Sequence, residues 1–167
     1  GSETNVVTAE GDAFTPDGLI DLGVTATATA TATVNVFSCS IEVTKTPDRA
    51  NVCAGDAEIT YSYTVTNTGT ADLIDVTAVD DNGTPADTSD DIALTLDGLT
   101  DEDGDGSDDD LDAGASATAE NTKTLAGSET NVVTAEGDAF TPDGLIDLGV
   151  TATDTATGTV NVFECSI

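Results

Sequence analysis

The chain has 167 residues, of which 33 are acidic and 3 are basic, with no histidine and a formal net charge of -30. So few lysines and arginines exclude nucleic-acid binding through phosphate contacts, and the negative charge opposes binding to an anionic membrane surface. The lack of histidine removes Ser-His, Cys-His and histidine-zinc chemistry, so we expect no enzyme activity. No apolar run reaches the length of a membrane span, so no membrane insertion is expected in this window.

An internal repeat organises the chain, because residues 1–41 return as residues 127–167 at an offset of 126. Near-identity over this length predicts a window cut from a tandem array. Residues 1–38 then form the C-terminal strands of a preceding repeat, and residues 39–167 form one complete repeat with the start of the next linker. The copies differ at three positions, which are Ala28/Asp154, Ala32/Gly158 and Ser38/Glu164.

Within the full repeat, alternating apolar and polar residues predict strands, most clearly at 58–67. There Ile59, Tyr61, Tyr63 and Val65 share one face. The predicted strands are 41–46 with a short continuation at 50–53, then 58–67, 73–79, 92–96, 115–125, 131–136 and 148–163. No segment has a helical period, and this spacing indicates an all-β fold, an antiparallel immunoglobulin-like β-sandwich of about seven strands.

The last predicted strand has one apolar face, with Asp154 and Gly158 in its middle. A carboxylate is costly in a dry core, so we expect the middle of this face to be solvent-accessible or beside a cation. Val150, Val160 and Val162 at the ends of the face are predicted core residues.

An odd number of strands in an up-and-down arrangement brings the chain in at one end of the sandwich and out at the other. Only residues 38–40 separate the last strand of one repeat from the first strand of the next, which is far shorter than a flexible linker. The predicted partners are therefore neighbouring copies of the same repeat, joined head to tail in a homopolymeric assembly.

The segment 101–112 is the most acidic part of the chain, and its carboxylates would repel one another without a cation. Its spacing fits the calcium-loop template, with carboxylates at odd positions and a glycine at the sharp turn. The template positions fall on Asp101, Asp103, Asp105, Gly106, Asp109 and Asp112. The chain departs from the template at the last position, where a bidentate glutamate is usual, and it lacks flanking helices. Calcium is the predicted cofactor, and the alternative is a solvated acidic loop.

Two further groups of aspartates are candidate cation ligands. The first group flanks a turn and consists of Asp80, Asp81, Asp87, Asp90 and Asp91. The second lies in a glycine-containing connection and consists of Asp138, Asp143 and Asp147, which repeat Asp12, Asp17 and Asp21 of the first copy. The alternative for both groups is turn chemistry, in which aspartates accept hydrogen bonds from nearby backbone donors.

The cysteines allow two disulfide pairings. Cys39 and Cys165 are equivalent positions, so each repeat carries two cysteines, of which Cys53 is the other. Cys53 follows the first strand and so lies at the end of the sandwich where the last strand reaches Cys165, whereas Cys39 lies a strand length away. A disulfide needs Cα atoms within about 7 Å, which favours Cys53–Cys165 over Cys39–Cys53. Either pairing implies an oxidising, extracytoplasmic setting.

Lys45 has the same strand parity as Ile41 and Val43, which predicts an inward-pointing lysine. Adhesin sandwiches sometimes join such a lysine to an asparagine through an isopeptide bond. Asn161 on the last strand has the opposite parity to Val160, so a snorkelling or ion-paired lysine is the favoured interpretation.

The segments 41–48, 53–56, 59–69 and 73–81 together resemble the DUF11-type conserved repeat of large prokaryotic surface proteins. The acidic segment 80–91 and the Asp/Gly loop after it are similar to calcium-associated members of that group. The resemblance implies an immunoglobulin-like sandwich in secreted stalks, adhesins or sheaths, without catalysis.

These patterns predict a structural repeat unit of a secreted tandem-repeat surface protein that forms a stiff, calcium-stabilised stalk or extracellular filament. The predicted location is extracellular, at the cell surface. The alternatives are an adhesive binding module of a cell-surface adhesin and a salt-adapted acidic domain without specific ions.

Overall fold

A computed structural model describes residues 1–55, 57–142 and 144–165, and the chain is all-β. It divides into two compact units, Gly1–Phe37 and Ser38–Ile167. Each unit is described by itself below.

The first unit is a single antiparallel hairpin of β1 (Ser2–Phe14) and β2 (Asp21–Asn35). No residue of either strand is buried. Val24, Val34 and Val36 of this unit are 60%, 64% and 58% exposed. Two strands alone are at best marginally stable in water, so this hairpin has backbone pairing without a hydrophobic core.

We expect the amides of β1 and β2 to exchange with deuterium far faster than those of residues 129–163, although the two segments are nearly identical in sequence. The reason is that local opening is cheap where few apolar contacts are lost. Peptide-resolved hydrogen exchange on the 167-residue chain measures this, using peptides that include position 28 or 154, or position 32 or 158. These peptides, and any that include position 38 or 164, distinguish the copies by mass, and equal protection in both copies would contradict the expectation.

The second unit is a β-sandwich of two sheets, which confirms the predicted fold class. Its strands are β3 (Ile41–Pro47), β4 (Asn51–Cys53), β5 (Glu58–Asn67), β6 (Asp72–Asp80), β7 (Ile92–Ala93), β8 (Ser116–Thr124), β9 (Glu129–Phe140) and β10 (Asp147–Phe163). One sheet has the order β3-β5-β8 and the other has the order β4-β10-β9-β6-β7. All pairs are antiparallel except β4 with β10, which is parallel.

Two strands differ in extent from the sequence prediction. β9 runs to Phe140 instead of ending at residue 136, and it passes through Gly137. A Cβ at Gly137 would lie 3.1 Å from the Val76 side chain and 3.2 Å from Leu73, so this strand position packs closely against β6 and suits glycine. The predicted strand 92–96 is reduced to Ile92–Ala93, which pair with the end of β6, and the Leu94 N–H then makes a last hydrogen bond of 2.9 Å to the Ala78 C=O of β6.

The predicted apolar face of β5 is confirmed, since Ile59, Tyr61, Tyr63 and Val65 are each at most 1% exposed. Burying side chains of this size contributes about 1.5–3 kcal/mol each before the entropy cost of ordering them. β5 is the middle strand of its sheet, so its inward face forms the centre of the core.

The predictions for the last strand hold in part. Val160 is fully buried and Val162 is half-buried, but Val150 is 49% exposed. The prediction for Val150 was wrong because the β9–β10 register shifts between Asp147 and Thr151, where Gly149 has a φ of +67°.

The two residues that interrupt the apolar face of β10 have separate explanations. Asp154 is half-buried, and its Oδ2 accepts a hydrogen bond of 2.9 Å from the backbone N–H of Val43 on the sheet edge. The carboxylate thus satisfies an edge-strand donor. Gly158 makes room for the core, because a Cβ there would lie 3.0 Å from the Tyr61 ring and 3.4 Å from Lys45 Cε.

The chain enters this unit at one end and leaves it at the other. Val43 of β3 lies beside Asp154 of β10. Further along both segments, Asn51 of β4 pairs with Asn161 of β10. The chain from β3 to β4 therefore runs in the same direction as β10. The sequence argument expected the same entry and exit from an odd number of up-and-down strands, but the described residues of this unit form eight strands with one parallel pair, so the geometry does not follow from strand number.

Lys45 lies in the core and is ion-paired, as the sequence favoured. Its side chain and that of Asp80 are both 0% exposed, with 2.7 Å between Nζ and Oδ2. Lys45 also donates to Asn131 Oδ1, and the Tyr63 hydroxyl donates to Asp80 Oδ2. Asn161, the asparagine considered from the sequence, is exposed on β10.

Candidate metal centre

The acidic loop after β7 is anchored at its base by two short stretches of backbone pairing. The N–H and C=O of Thr100 bond to those of Asp110 at 3.0 and 2.8 Å, which closes the segment between them into a small loop. Leu111 is 1% exposed and bonds in the same reciprocal way to Leu73 of β6. The base of the loop therefore belongs to the core, while its tip lies in solvent.

Three carboxylates converge in this loop, those of Asp101, Asp103 and Asp110. One oxygen from each lies within 4.8 Å of the other two. Among the residues that the structure describes, this is the one group of three or more acidic or cysteine side chains that approaches so closely. Oxygen donors at this separation suit a hard divalent cation such as Ca²⁺.

Asp110 is the buried member of the group, at 1% exposure. Its Oδ2 accepts hydrogen bonds from the backbone N–H groups of Glu102 at 2.5 Å and Asp103 at 3.0 Å. Its Oδ1 is buried and has no hydrogen-bond partner. An unpaired buried carboxylate oxygen costs several kcal/mol, and a cation between the three aspartates would remove that cost.

The tip of the loop supplies tight turns. Gly104 and Gly106 have φ values of +78° and +97°, a region that glycine adopts without strain. The side chain of Asp103 accepts from the N–H of Asp105 at 2.9 Å, and that of Asp105 accepts from the N–H of Ser107 at 2.7 Å. The predicted glycine turn is present, but Asp105 bonds to the loop backbone instead of joining the close group.

The remaining predicted ligands of this loop, Asp109 and Asp112, also stand outside the group of three. Asp109 uses its backbone C=O to accept from Val76 N–H at 2.8 Å. Burial raises the pKa of the Asp109 carboxyl, and the nearby charges of Asp105 and Asp110 raise it further. The loop thus carries an excess of negative charge, which favours cation binding.

Sequence reasoning missed Asp110 because the helix-flanked template assigns position 10 no ligand. In this sandwich the loop is set by its pairing with Thr100 and by the buried Leu111. Leu111 is the one apolar residue in segment 101–112. An apolar residue in such a loop indicates burial, so the sequence could have suggested that the adjacent Asp110 lies at the core.

The second group of candidate ligands is divided among several roles. Asp80 is engaged by Lys45, and its Oδ1 accepts from Asn82 N–H at 2.8 Å. Asp87 accepts from the N–H and hydroxyl of Ser89, and Asp90 accepts from the Thr84 hydroxyl at 2.6 Å. Asp87 therefore shows the turn chemistry that the sequence offered as the alternative, whereas the hydrogen bonds to Asp90 come from the side chains of Thr84 and Asn82.

Asp81 and Asp91 of that group do share one surface cleft of about 410 Å³. Asp81 Oδ1 accepts from the N–H groups of Gly83 and Val132, both at 2.8 Å. Its Oδ2 is buried and has no hydrogen-bond partner. This part of the group remains a predicted cation site with two carboxylates.

The third group lies in the β9–β10 connection. Asp138 accepts from the Thr151 hydroxyl at 2.5 Å and Asp147 accepts from Gly149 N–H at 2.6 Å, while Asp143 lies outside the described residues. Their counterparts Asp12 and Asp21 make the same contacts in the first hairpin, to Thr25 and Gly23. The counterpart Asp17 accepts from the Thr15 hydroxyl, which lowers the pKa of Asp17.

The same connection packs against the acidic loop. A Cβ on Gly144 would lie 2.8 Å from the backbone O of Glu102, and its φ of +67° also suits glycine. The connection therefore supports the segment that carries Asp101 and Asp103.

The Cys53–Cys165 disulfide is present, as the strand geometry favoured, with 5.5 Å between the Cα atoms. Cys39 is a free, half-buried cysteine. A structural disulfide is compatible with an extracellular or secreted protein. None of the described residues forms a helix of the length and apolarity that a membrane span requires.

No protein-family model matches the chain, and no curated protein matches it either.

Proposed function

We propose that this chain is a structural repeat of a secreted tandem-repeat surface protein, whose sandwiches join head to tail into a stiff stalk or extracellular filament. The observation that carries the proposal is the contrast between two copies of one sequence. Residues 129–163 complete a sandwich as β9 and β10, while their near-identical counterparts in β1 and β2 form a hairpin with no buried residue. Within this chain the first copy lacks the further strands that cover the second.

The path of the chain supports an end-to-end array. β3 begins at one end of the sandwich and β10 finishes at the other, so successive repeats follow one another along one direction. The linker between repeats is the three residues 38–40. Ser38 is held by its own repeat, because its backbone C=O accepts from Thr70 N–H at 2.8 Å and its N–H donates to the Thr70 hydroxyl at 2.9 Å.

Calcium is the proposed stabilising ion, bound by Asp101, Asp103 and Asp110. The support is the unpaired buried oxygen of Asp110 together with the separation of the three carboxylates. Such an ion would tie the exposed tip of the loop to its buried base. The proposed role is structural, and we propose no catalytic activity.

Thermal unfolding of the 167-residue chain with Ca²⁺, with EGTA and with concentrated NaCl tests the calcium proposal. We expect Ca²⁺ to raise the free energy of unfolding by about 2.7 kcal/mol at a concentration of 100 times Kd, because the ion binds the folded state alone. The sample in concentrated NaCl tests the alternative of a salt-adapted acidic domain without specific ions. That alternative predicts that NaCl stabilises the chain as well as calcium does.

Asp110→Asn and Asp112→Asn form a matched pair of variants for the same experiment. We expect Asp110→Asn to abolish the calcium-dependent shift in Tm, because the amide loses the charge that faces the ion. Asp112→Asn removes an equal charge from an exposed position outside the group and should keep most of the shift. Equal losses in the two variants would mean that calcium responds to the general charge of the loop, against the proposed site.

A further inference from the structure

The buried polar cluster brings together residues from three strands in two sheets. Lys45 lies on β3 of one sheet, while Asp80 and Asn131 lie on β6 and β9 of the other. Asp80 and Asn131 are 0% and 1% exposed, and Lys45 is 6% exposed. The Lys45 amine contacts both partners, with Asn131 Oδ1 and Asp80 Oδ2 as acceptors.

Aromatic rings surround the amine and keep water away. Lys45 Nζ lies 4.7 Å from the centroid of the Tyr61 ring and 5.3 Å from that of Tyr63. Burial lowers the pKa of the Lys45 amine, and Asp80 opposes this change. Desolvation of this kind increases the share of the neutral amine, which is the nucleophilic form.

The carbon of the Asn131 carboxamide is within reach of that amine. Nζ donates to Oδ1, and Cγ is one bond further on, so the two reacting atoms are held together by the fold. Holding reactants in contact replaces a bimolecular encounter and lowers the barrier by several kcal/mol. Asp80 contacts the same amine, and the Tyr63 hydroxyl holds the carboxylate through Oδ2.

We propose that Lys45 Nζ and Asn131 Cγ form an intramolecular amide bond, with Asp80 as the catalytic proton carrier. Nothing in the reaction requires a cofactor or a second substrate.

The step balances in atoms and charge. Asp80 takes one proton from the Lys45 ammonium, and the neutral amine attacks Asn131 Cγ while the protonated carboxyl donates a hydrogen bond to Oδ1. The second amine proton passes to the departing nitrogen, the Cγ–Nδ2 bond breaks and ammonia leaves. The products are a secondary amide, a neutral Asp80 carboxylic acid and one ammonia.

The reaction also removes an unfavourable feature of the core. A buried ammonium and carboxylate have a large desolvation cost that their attraction offsets only with excellent geometry. The products are uncharged, and the new amide links the two sheets covalently. β3 is the outer strand of its sheet and the first strand of the unit along the chain, so a covalent link there holds the strand that a pulling force from the preceding chain would reach first.

Mass spectrometry of the intact chain tests the proposal. We expect a mass below that of the sequence by one ammonia, in addition to the two hydrogens lost in the disulfide. The deficit should be a single ammonia, because Asn5, the counterpart of Asn131 in the first hairpin, lies on an exposed strand without this cluster.

A tryptic map after reduction locates the bond. Trypsin cuts after lysine and arginine, and the chain contains three such residues, Lys45, Arg49 and Lys123. An amide at Lys45 blocks cleavage there and joins peptide 1–49 to peptide 124–167 in one branched species. The map also separates this bond from a succinimide at Asn82-Gly83, which loses ammonia too but lies in peptide 50–123.

Asp80→Asn tests the catalytic role and Asn161→Ala is its matched control. Loss of general acid–base catalysis slows such steps by roughly 10²–10⁴-fold, so Asp80→Asn should leave the chain at its full mass. Asn161→Ala should retain the ammonia loss, since this exposed residue does not contact Lys45. Formation of the disulfide in each variant reports that the chain has folded.

Recovery of separate peptides 1–45 and 124–167 at full mass from the chain without substitutions would overturn the proposal, whatever the variants show. If the branched peptide forms at full yield in Asp80→Asn, the amide bond is supported but the catalytic role of Asp80 is contradicted.

Discussion

Replacing both Cys53 and Cys165 by serine should lower the free energy of unfolding by about 4.8 kcal/mol, the chain-entropy value for a closed loop of 112 residues, or by about 4 kcal/mol where the proposed Lys45–Asn131 amide already shortens that loop. Both cysteine positions are exposed, so the serines leave no cavity in the core and the loss comes from the cross-link itself. Urea unfolding followed by circular dichroism measures the change, as a lower midpoint in the double variant. A loss of this size is comparable with the total stability of many domains.

Cys39→Ser is the matched control for the disulfide. Cys39 is free, so its replacement should move the midpoint little. A double variant that unfolds at the same urea concentration as Cys39→Ser would show that the sandwich does not depend on the disulfide.

The Lys45–Asp80 pair gives the second large expected effect. Lys45→Met leaves the Asp80 carboxylate buried without its cation, and removing one partner of a buried pair costs about 3–5 kcal/mol. The added substitution Asp80→Asn removes the orphaned charge, so the double variant should be more stable than Lys45→Met alone. Denaturant unfolding of the two variants measures the difference.

This comparison is independent of any covalent bond at Lys45, because both variants lack the amine. The difference between them therefore reports only the burial of the Asp80 charge and its hydrogen bonds. A double variant less stable than Lys45→Met would indicate that Asp80 is stabilised as a carboxylate by the neighbouring donors Tyr63 and Asn82.

Alternation along single strands made much of the fold predictable. β5 could be read directly, since Ile59, Tyr61, Tyr63 and Val65 repeat with the period of a strand and all of them are buried. The same rule placed Lys45 inward. The disulfide followed from one further step, the direction of β10 relative to the first strands.

The polar sites could not be read in this way because they depend on pairings between distant strands. Parity along β10 correctly excluded Asn161, but it could not show that Asn131, on the neighbouring β9, faces Lys45 across the two sheets. Asp110 presents the same difficulty, since its burial results from pairing with Thr100 and from the contact of Leu111 with β6. A linear template records neither pairing.

The parallel pairing of β4 with β10 has a mechanical consequence. Tension that enters at β3 and leaves after β10 acts along two neighbouring strands in opposite directions, so their hydrogen bonds are sheared together instead of being opened one by one. The disulfide at the end of this pair then passes the force from Cys53 directly to Cys165. The intervening chain, 112 residues in sequence separation and roughly 380 Å when extended, is kept out of the path of the force. Under tension this sandwich can lengthen only through the residues that precede Cys53, so the proposed array would resist stretching even where individual strands separate.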